Sequence, residues 1–415
     1  MSYLRGGPLR SPDVFYSPQG GKAELYYGED ARATLRGLPE NSVHLVSTSP
    51  PYWGLRDYGA TEDQIGLEDS LEGYVQALVG VFREVRRVLR SDGVLWLNLG
   101  DSYASGGRQG HGTRVGFKQQ SNRGSNGQRN SARPPTPEGL KPKDLVGAPW
   151  RVAFALQQDG WYLRSAAPWV KRNPMPESVL DRPTTATEYV FLLAHPDSGG
   201  RYFYDPFEVR QRYGRKRNWR NSDSWEYSLE VLNADSPVLL SDDGHPLGFQ
   251  VNPKPYRGAH FATWPAELVR PLILLGASSK GVCSSCGKPW GRALQSRALR
   301  PTAAKVGGDP GRGDGGARVR EGSGSGGNAL GQKRCPGGWA PPCKCDAPVS
   351  RPVVLDPFSG SATTGMVALS EGCDYVGVDL NPDYLPLAMA RLHGNKAGPS
   401  ERSTDLDALD LFGSP

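Results

Sequence analysis

The 415-residue chain contains no run of about 18 apolar residues, which excludes a bilayer-spanning helix. Its opening stretch, MSYLRGGPLRSPDV, lacks the apolar centre of a secretory signal, so a cytoplasmic location is the expectation. Apolar residues are sparse, at 37%, whereas Gly (53) and Pro (36) are abundant. Part of the chain is therefore expected to be loop, and the core must come from the rest. Cysteine is too scarce, at six, for a disulfide scaffold. Lys and Arg exceed Asp and Glu by only 49 to 43, a balance that permits a nucleic-acid partner without requiring one. The glycine-rich segment near the C-terminus has no Gly-Lys-Ser/Thr, which argues against a nucleoside triphosphate.

Residues 22–100 read as compact α/β. Leu25-Tyr26-Tyr27 and Val43–Ser47 suit strands, Ala31–Leu38 a helix, and the apolar positions from Tyr74 to Leu89 have a helical period. Ser91-Asp92-Gly93 reads as a turn before a strand at Val94–Leu99. Residues 104–137 hold six Arg or Lys and no acid among Gly, Ser, Asn and Gln, the composition of a mobile basic loop. A helix is expected at Leu145–Gln158, strands at Trp161–Trp169 and Glu188–Ala194, and a helix at Ala266–Leu275. Residues 205–258 read as irregular and carry Arg210, Arg212, Arg215, Lys216, Arg217 and Arg220 interleaved with Phe207, Tyr213 and Trp219. Residues 303–334, with 11 glycines, read as disordered. The chain then offers strand Val353–Leu355, a Gly-rich turn, helix Thr364–Ser370, strand Tyr375–Val378 and helix Pro382–Leu392.

Two short segments carry chemistry. Asp356-Pro-Phe-Ser-Gly-Ser-Ala-Thr-Thr-Gly365 joins a strand to a helix, and its small residues would let a nucleoside approach the backbone at the helix N-terminus. Asp379 ends the next strand, where a carboxylate can accept from ribose hydroxyls. A tight strand-to-helix turn with a surface acid is the plainer alternative. Thr48-Ser49-Pro50-Pro51-Tyr52-Trp53 follows the strand Val43–Ser47. Its prolines stiffen the loop and remove two donors, leaving the Ser49 hydroxyl and nearby carbonyls as acceptors for an exocyclic amine, with Tyr52 able to stack on a base. A proline-stiffened connection with an aromatic plug would look the same taken alone.

Together these segments resemble the amino-methyltransferases of DNA, whose motifs read D/N/S-P-P-Y/F/W and D-P-F-x-G-x-G-T-T. With Ser49-Pro50-Pro51-Tyr52 first and the Asp356 turn last, the order is similar to that of the β class. His260-Phe261-Ala262-Thr263-Trp264-Pro265, the strand Val94–Asp101, Trp169–Asn173 with Arg182 and Glu188-Tyr189, and Gly28-Glu29-Asp30-Ala31 resemble further family segments. The likeness covers most of residues 22–275 and 350–395. One departure is Ala362, where the family has its second glycine.

The resemblance implies an α/β, Rossmann-like S-adenosylmethionine-dependent methyltransferase fold. Its mixed sheet would be circularly permuted and carry a target-recognition insertion, and the cysteine spacing adds a zinc-knuckle insertion. The expected division is a tail at 1–21, core at 22–103, basic loop at 104–140, core at 141–204 and target recognition at 205–258. Further core at 259–280, a cysteine insertion at 281–349, the cofactor half at 350–396 and a tail at 397–415 complete it. Ser49, Pro50, Pro51 and Tyr52 would be catalytic. Asp30, His260, Phe261, Ala262, Thr263, Pro265, Asp356, Phe358, Ser359, Gly360, Ser361, Thr363, Thr364, Asp379 and Asn381 would hold S-adenosylmethionine. Trp53, Lys171, Asn173, Arg212, Arg215, Arg217 and Trp219 would touch double-stranded DNA.

A serine at position 49 resembles the cytosine-N4 enzymes, with adenine N6 the alternative. A DNA-binding protein on an inactive core and an RNA or small-molecule methyltransferase are the readings from other classes. C5 methylation is disfavoured, because no Pro-Cys pair follows a strand in a suitable context. A homodimer and a cognate restriction endonuclease encoded elsewhere stay open, and no membrane partner is expected. Cys283-x-x-Cys286 and Cys343-x-Cys345 suit one structural tetrahedral zinc, with Cys335 as a spare; incidental reduced thiols are the alternative.

Overall fold

The computed structural model describes residues 10–54, 64–104, 136–174, 177, 179–213, 236–241, 245–253, 264–298 and 332–394, without the side chains of 294–298 and 332–337. The segments 104–137 and 303–334, expected to be loop and disordered, lie almost wholly outside the described residues.

The centre of the molecule is a mixed sheet. Its strands are β1 (Asp13–Tyr16), β2 (Lys22–Tyr27), β3 (Val43–Thr48), β4 (Leu89–Leu99), β5 (Tyr162–Val170), β6 (Thr187–Ala194), β7 (Val238–Leu240) and β8 (Pro246–Gln250). The insertion supplies β9 (Val282–Cys283), β10 (Gly291–Ala298), β11 (Gln332–Ala340) and β12 (Val349–Ser350), before β13 (Val353–Asp356) and β14 (Asp374–Asp379) return to the centre. The sheet order is β1-β2-β14-β13-β3-β4-β6-β5-β8-β7, and β10-β11 and β9-β12 form two small ribbons. The five strands β2, β14, β13, β3 and β4 are mutually parallel, while β6 runs antiparallel to β4 and β5. The last strands in the chain therefore fill the place between β2 and β3.

Helices cover both faces. Helices α1 (Ala31–Gly37), α2 (Leu71–Val88) and α3 (Ala148–Gln158) share a core with Val46, Leu95, Leu97, Phe191 and Leu355. Helices α4 (Pro206–Tyr213), α5 (Ala266–Gly276), α6 (Thr363–Ser370) and α7 (Leu385–Leu392) share the other with Leu45, Val94, Trp96, Val190 and Val354. Successive residues of β4 thus feed opposite cores, the period-2 alternation of a strand buried on both sides. The chain leaves β3 into α2 on one face and leaves β13 into α6 on the other. The topological switch point of the sheet falls between these neighbours, where open α/β sheets bind ligands.

Three local expectations are corrected. Ser91-Asp92-Gly93 is no turn: β4 runs through it beside β3, with a register shift between Val43 and Leu45. A Cβ on Gly93 would stand 2.8 Å from His44 O, so this glycine permits close strand approach. The 1–21 tail contains β1, which pairs with β2. The described part of 205–258 is regular, with α4 and the strand pair β7-β8 extending the sheet beyond β5.

Candidate active site at the tips of adjacent strands

Because β3 and β13 are parallel and hydrogen-bonded, with Leu45 opposite Val354 and Val46 opposite Leu355, their C-terminal tips lie side by side. The Ser-Pro-Pro-Tyr loop leaves one tip and the glycine turn leaves the other, so the two segments meet across about three hundred residues of sequence. A buried tie joins them. Thr48 Oγ1 donates to Asp356 Oδ1 at 2.7 Å, Thr364 Oγ1 donates to Asp356 Oδ2 at 2.7 Å, and Phe358 N donates to Oδ1 at 3.1 Å. Asp356 is buried, which pushes its carboxyl up to about 6 against the pull of these donors. Three donors occupy this carboxylate, so Asp356 frames the turn rather than facing into it.

The turn itself is tightly held. Gly360 adopts φ +51 and Ala362 φ +56. Alanine thus occupies a left-handed position that favours glycine, and it is completely buried. The Ser359 hydroxyl lies 2.8 Å from the hydroxyls of both Tyr27 and Tyr375, and Tyr27 donates to Gly360 O at 2.7 Å. Thr363 is buried and bonded to Arg391. Asp379 accepts from Gly360 N at 2.7 Å and Asn381 N at 2.9 Å, and burial pushes its carboxyl up to about 6. Asn381 caps the short 3-10 turn that follows. Ser361 Oγ is buried and meets no hydrogen-bond partner among the described residues. A buried orphan hydroxyl in a turn of small residues is what a polar ligand would satisfy.

Opposite the turn, Ser49, Tyr52, Asn98, Glu188 and Lys171 form one network. Ser49 Oγ donates to Asn98 Oδ1 at 3.1 Å. Tyr52 donates to Glu188 Oε2 at 2.6 Å and lies 3.1 Å from Asn98 Oδ1. Asn98 Nδ2 lies 3.2 Å from both Glu188 Oε2 and Tyr189 O, and Lys171 is ion-paired with Glu188 and sits 4.7 Å above the Trp169 ring. The Tyr52 ring lies against Gly100, where a Cβ would be 2.5 Å from Tyr52 Cε2. Pro51 O accepts from the Tyr74 hydroxyl at 2.9 Å, which anchors the loop to α2. Asn98 was not singled out as a site residue, and Glu188 was marked only as part of a segment resembling the family motifs near the base pocket. A fully buried asparagine within Val94–Leu99 was the available signal, since a polar side chain in an apolar strand needs a specific partner.

Other expected site residues land elsewhere. Trp53, expected to touch DNA, is instead buried in the core under the loop, with its Nε1 donating to Glu68 O at 3.1 Å. Arg212 is paired with Glu371 at 2.8 Å, at the end of α6 remote from the glycine turn. Asp30 caps α1 through Arg32 N and Ala33 N and pairs with the Arg32 guanidinium. Both carboxylate oxygens are therefore already engaged, and the Arg32 bonds hold the carboxyl below its ordinary value in spite of burial. Asn173 is exposed, with its N–H donating to Asn252 Oδ1 at 3.1 Å. Pro265 precedes the first turn of α5 and is buried. His260, Phe261, Ala262, Thr263, Arg215, Arg217 and Trp219 lie outside the described residues. Cys283, Cys286, Cys343 and Cys345 come together, with their sulfurs within 4.8 Å of one another.

A doubly covered sheet with paired loops at its switch point defines an open α/β protein with a candidate ligand site at the strand tips. The family model described as DNA methylase (N6_N4_Mtase) matches residues 43–283 and 350–390, and the chain belongs to that family. It is 40% identical to the Type II methyltransferase M.Cfr9I of Citrobacter freundii, over 90% of this chain and 88% of that protein. It is 38% identical to M.SmaI of Serratia marcescens, over 88% of each. The solved PvuII DNA methyltransferase, cytosine-N4-specific, aligns over 95% of this chain and 92% of its own at 14% identity, with a TM-score of 0.45, too distant to bear on the target base.

Proposed function

We propose that this DNA methylase transfers a methyl group from S-adenosylmethionine to the exocyclic N4 amine of cytosine in double-stranded DNA. The observation that carries the reading is that the Ser49–Tyr52 loop and the Asp356–Thr364 turn leave neighbouring strand tips, which Thr48 and Asp356 tie together. The residues present suit the cofactor: Asp379 is half-buried and, among the described residues, accepts only one backbone N–H on each carboxylate oxygen, which leaves lone pairs for ribose hydroxyls, while Ser361 offers an orphan hydroxyl and Ser359 to Thr363 a closely approachable backbone. When bound, S-adenosylmethionine supplies a methyl group on a positively charged sulfur.

The chain's own contribution is alignment and polarisation. With its proton directed at Asn98, Ser49 Oγ keeps its lone pairs for an amine N–H. The Pro50 and Pro51 segment holds neighbouring carbonyls extended as further acceptors. Holding both N–H groups turns the amine lone pair out of conjugation with the ring, as nucleophilic attack requires. Neither Asn98 nor Tyr52 is a base, so Ser49 has no activating partner for general-base catalysis, and the proton leaves once the nitrogen has become acidic. Tyr52, fixed against Gly100 by Glu188 and Asn98, offers a ring edge beside a base drawn out of the duplex. A serine at position 49 favours cytosine N4 over adenine N6, and the likeness to Type II methyltransferases fits a partner restriction endonuclease encoded elsewhere.

The test is mass spectrometry of nucleosides from duplex DNA incubated with the chain and methyl-labelled S-adenosylmethionine. Labelled N4-methylcytosine is expected, lost in Ser49→Ala. Labelled N6-methyladenine would move the assignment to the other base, and no labelled nucleoside would leave a DNA-binding protein on an inactive core.

A further inference from the structure

The function proposed above makes no use of the cysteine cluster, and the family match passes over residues 284–349, where Cys286, Cys343 and Cys345 lie. The four thiols are nevertheless arranged as a site. All four sulfurs fall within 4.8 Å of one another, close to the about 3.8 Å edges of a tetrahedron built on 2.3 Å bonds, and none is in a disulfide. Two turns shape it. Gly287 N closes the first turn on Cys283 O at 2.8 Å with φ +70, and Asp346 follows the second at φ +47.

The cluster is also mounted on the core. His44 at the start of β3 reaches Gly287 O through Nε2 at 3.1 Å and accepts from Val353 N, the first residue of β13, at 3.0 Å. Arg90 at the start of β4 donates to Cys286 O at 3.0 Å. Strands β9 and β12 pair Cys283 with Val349, just before β13. The cluster therefore sits at the N-terminal ends of β3, β4 and β13. At about 3.3 Å per residue, His44 is separated from Thr48 by about 13 Å of strand, so the cluster is at the end opposite the methyl-transfer loops.

The geometry points to one Zn²⁺ held by Cys283, Cys286, Cys343 and Cys345, replacing their thiol protons, that clamps the insertion and fixes where β13 enters the sheet. Four sulfurs leave no coordination position open, so the ion is structural and takes no part in the chemistry.

Full-length chain purified without chelator should contain about one zinc per molecule by elemental mass spectrometry. Exchange for Co²⁺ should give the intense visible bands of tetrahedral thiolate cobalt. Cys345→Ser, at the exposed corner, should lose those bands, whereas Cys335→Ser and Cys373→Ser should keep them. Stripping zinc should lower Tm by at least about 5 °C and speed amide exchange at Val353 and Cys283, with recovery when zinc is restored. Iron in place of zinc, a disulfide among the four cysteines, or no metal and no cobalt bands would overturn the assignment. Zinc removal that leaves Tm and the exchange of Val353 unchanged would overturn the clamp.

Discussion

Substituting Thr48 with valine removes one hydroxyl and keeps the shape of the side chain. Asp356 then loses its 2.7 Å donor from β3 and keeps only Thr364 Oγ1 and Phe358 N, both on its own segment. A hydrogen bond to an ionised group contributes about 1.5–3 kcal/mol, and a neutral one about 1. The Asp356 carboxyl lies at about 6, so the larger cost applies at pH 8 and the smaller at pH 5. For a chain of this size about 2 °C of Tm accompanies each kcal/mol, so Thr48→Val should melt about 3–6 °C lower at pH 8 and about 2 °C lower at pH 5. Differential scanning calorimetry at both values measures the effect. A cycle with Asp356→Asn at pH 8 should show a coupling of about 0.5–2 kcal/mol, because the hydroxyl then donates to a neutral oxygen in place of a charged one. A Tm within about 1 °C of the parent at pH 8, or additive effects in the cycle, would refute the tie between the two loops.

Other outcomes follow from the same geometry. Burial pushes the Asp379 carboxyl up to about 6, and on the proposed role it would accept from ribose hydroxyls best when ionised, so titration calorimetry should find S-adenosylmethionine bound about tenfold more tightly at pH 7 than at pH 5. Stability should slope the other way. The folded protein keeps protons on Asp356 and Asp379 that the unfolded chain releases near pH 4, so their contribution is full below about 4 and lost as pH rises through about 6. Opposite slopes check the sign, and an affinity flat from pH 5 to 7 removes Asp379 from the binding site. Gly100→Ala would place a methyl 2.5 Å from the Tyr52 ring, which Glu188 and Asn98 prevent from swinging away. Its turnover number should fall by about tenfold or more in a methylation assay, and an unchanged rate would show that Tyr52 needs no fixed position.

The meeting of the two loops was legible because each follows a short apolar run, and buried parallel strands leave that pattern. Helices α2 and α5 were legible from apolar spacing. What was not legible depended on neighbours. Gly93 punctuates like a turn residue, but its reason is the His44 carbonyl on the adjoining strand, which no local pattern reports. Trp53 looked like a reader of bases beside Tyr52, yet one residue's difference in direction sends its indole into the core toward Glu68 O. Strand β1 is only four residues long and buries Phe15 alone, too short to show a period by itself, and its order comes from the ladder with β2. Asp356 and Asp30 stand out as acids in motifs, but their partners, Thr48 on the neighbouring strand and the first turn of α1, come from the fold.

The seating of β13 and β14 between β2 and β3 bears on how the molecule is made. On the ribosome, β3 emerges long before its neighbour β13. At about 5–20 residues per second the delay is about 15–60 s, during which β2 and β3 each present a bare ladder edge, open to pairing with other chains. Premature termination anywhere before β13 leaves a fragment with an unfilled gap at the middle of its sheet and no glycine turn. Such fragments should aggregate rather than methylate, so the architecture makes catalysis conditional on a finished polypeptide.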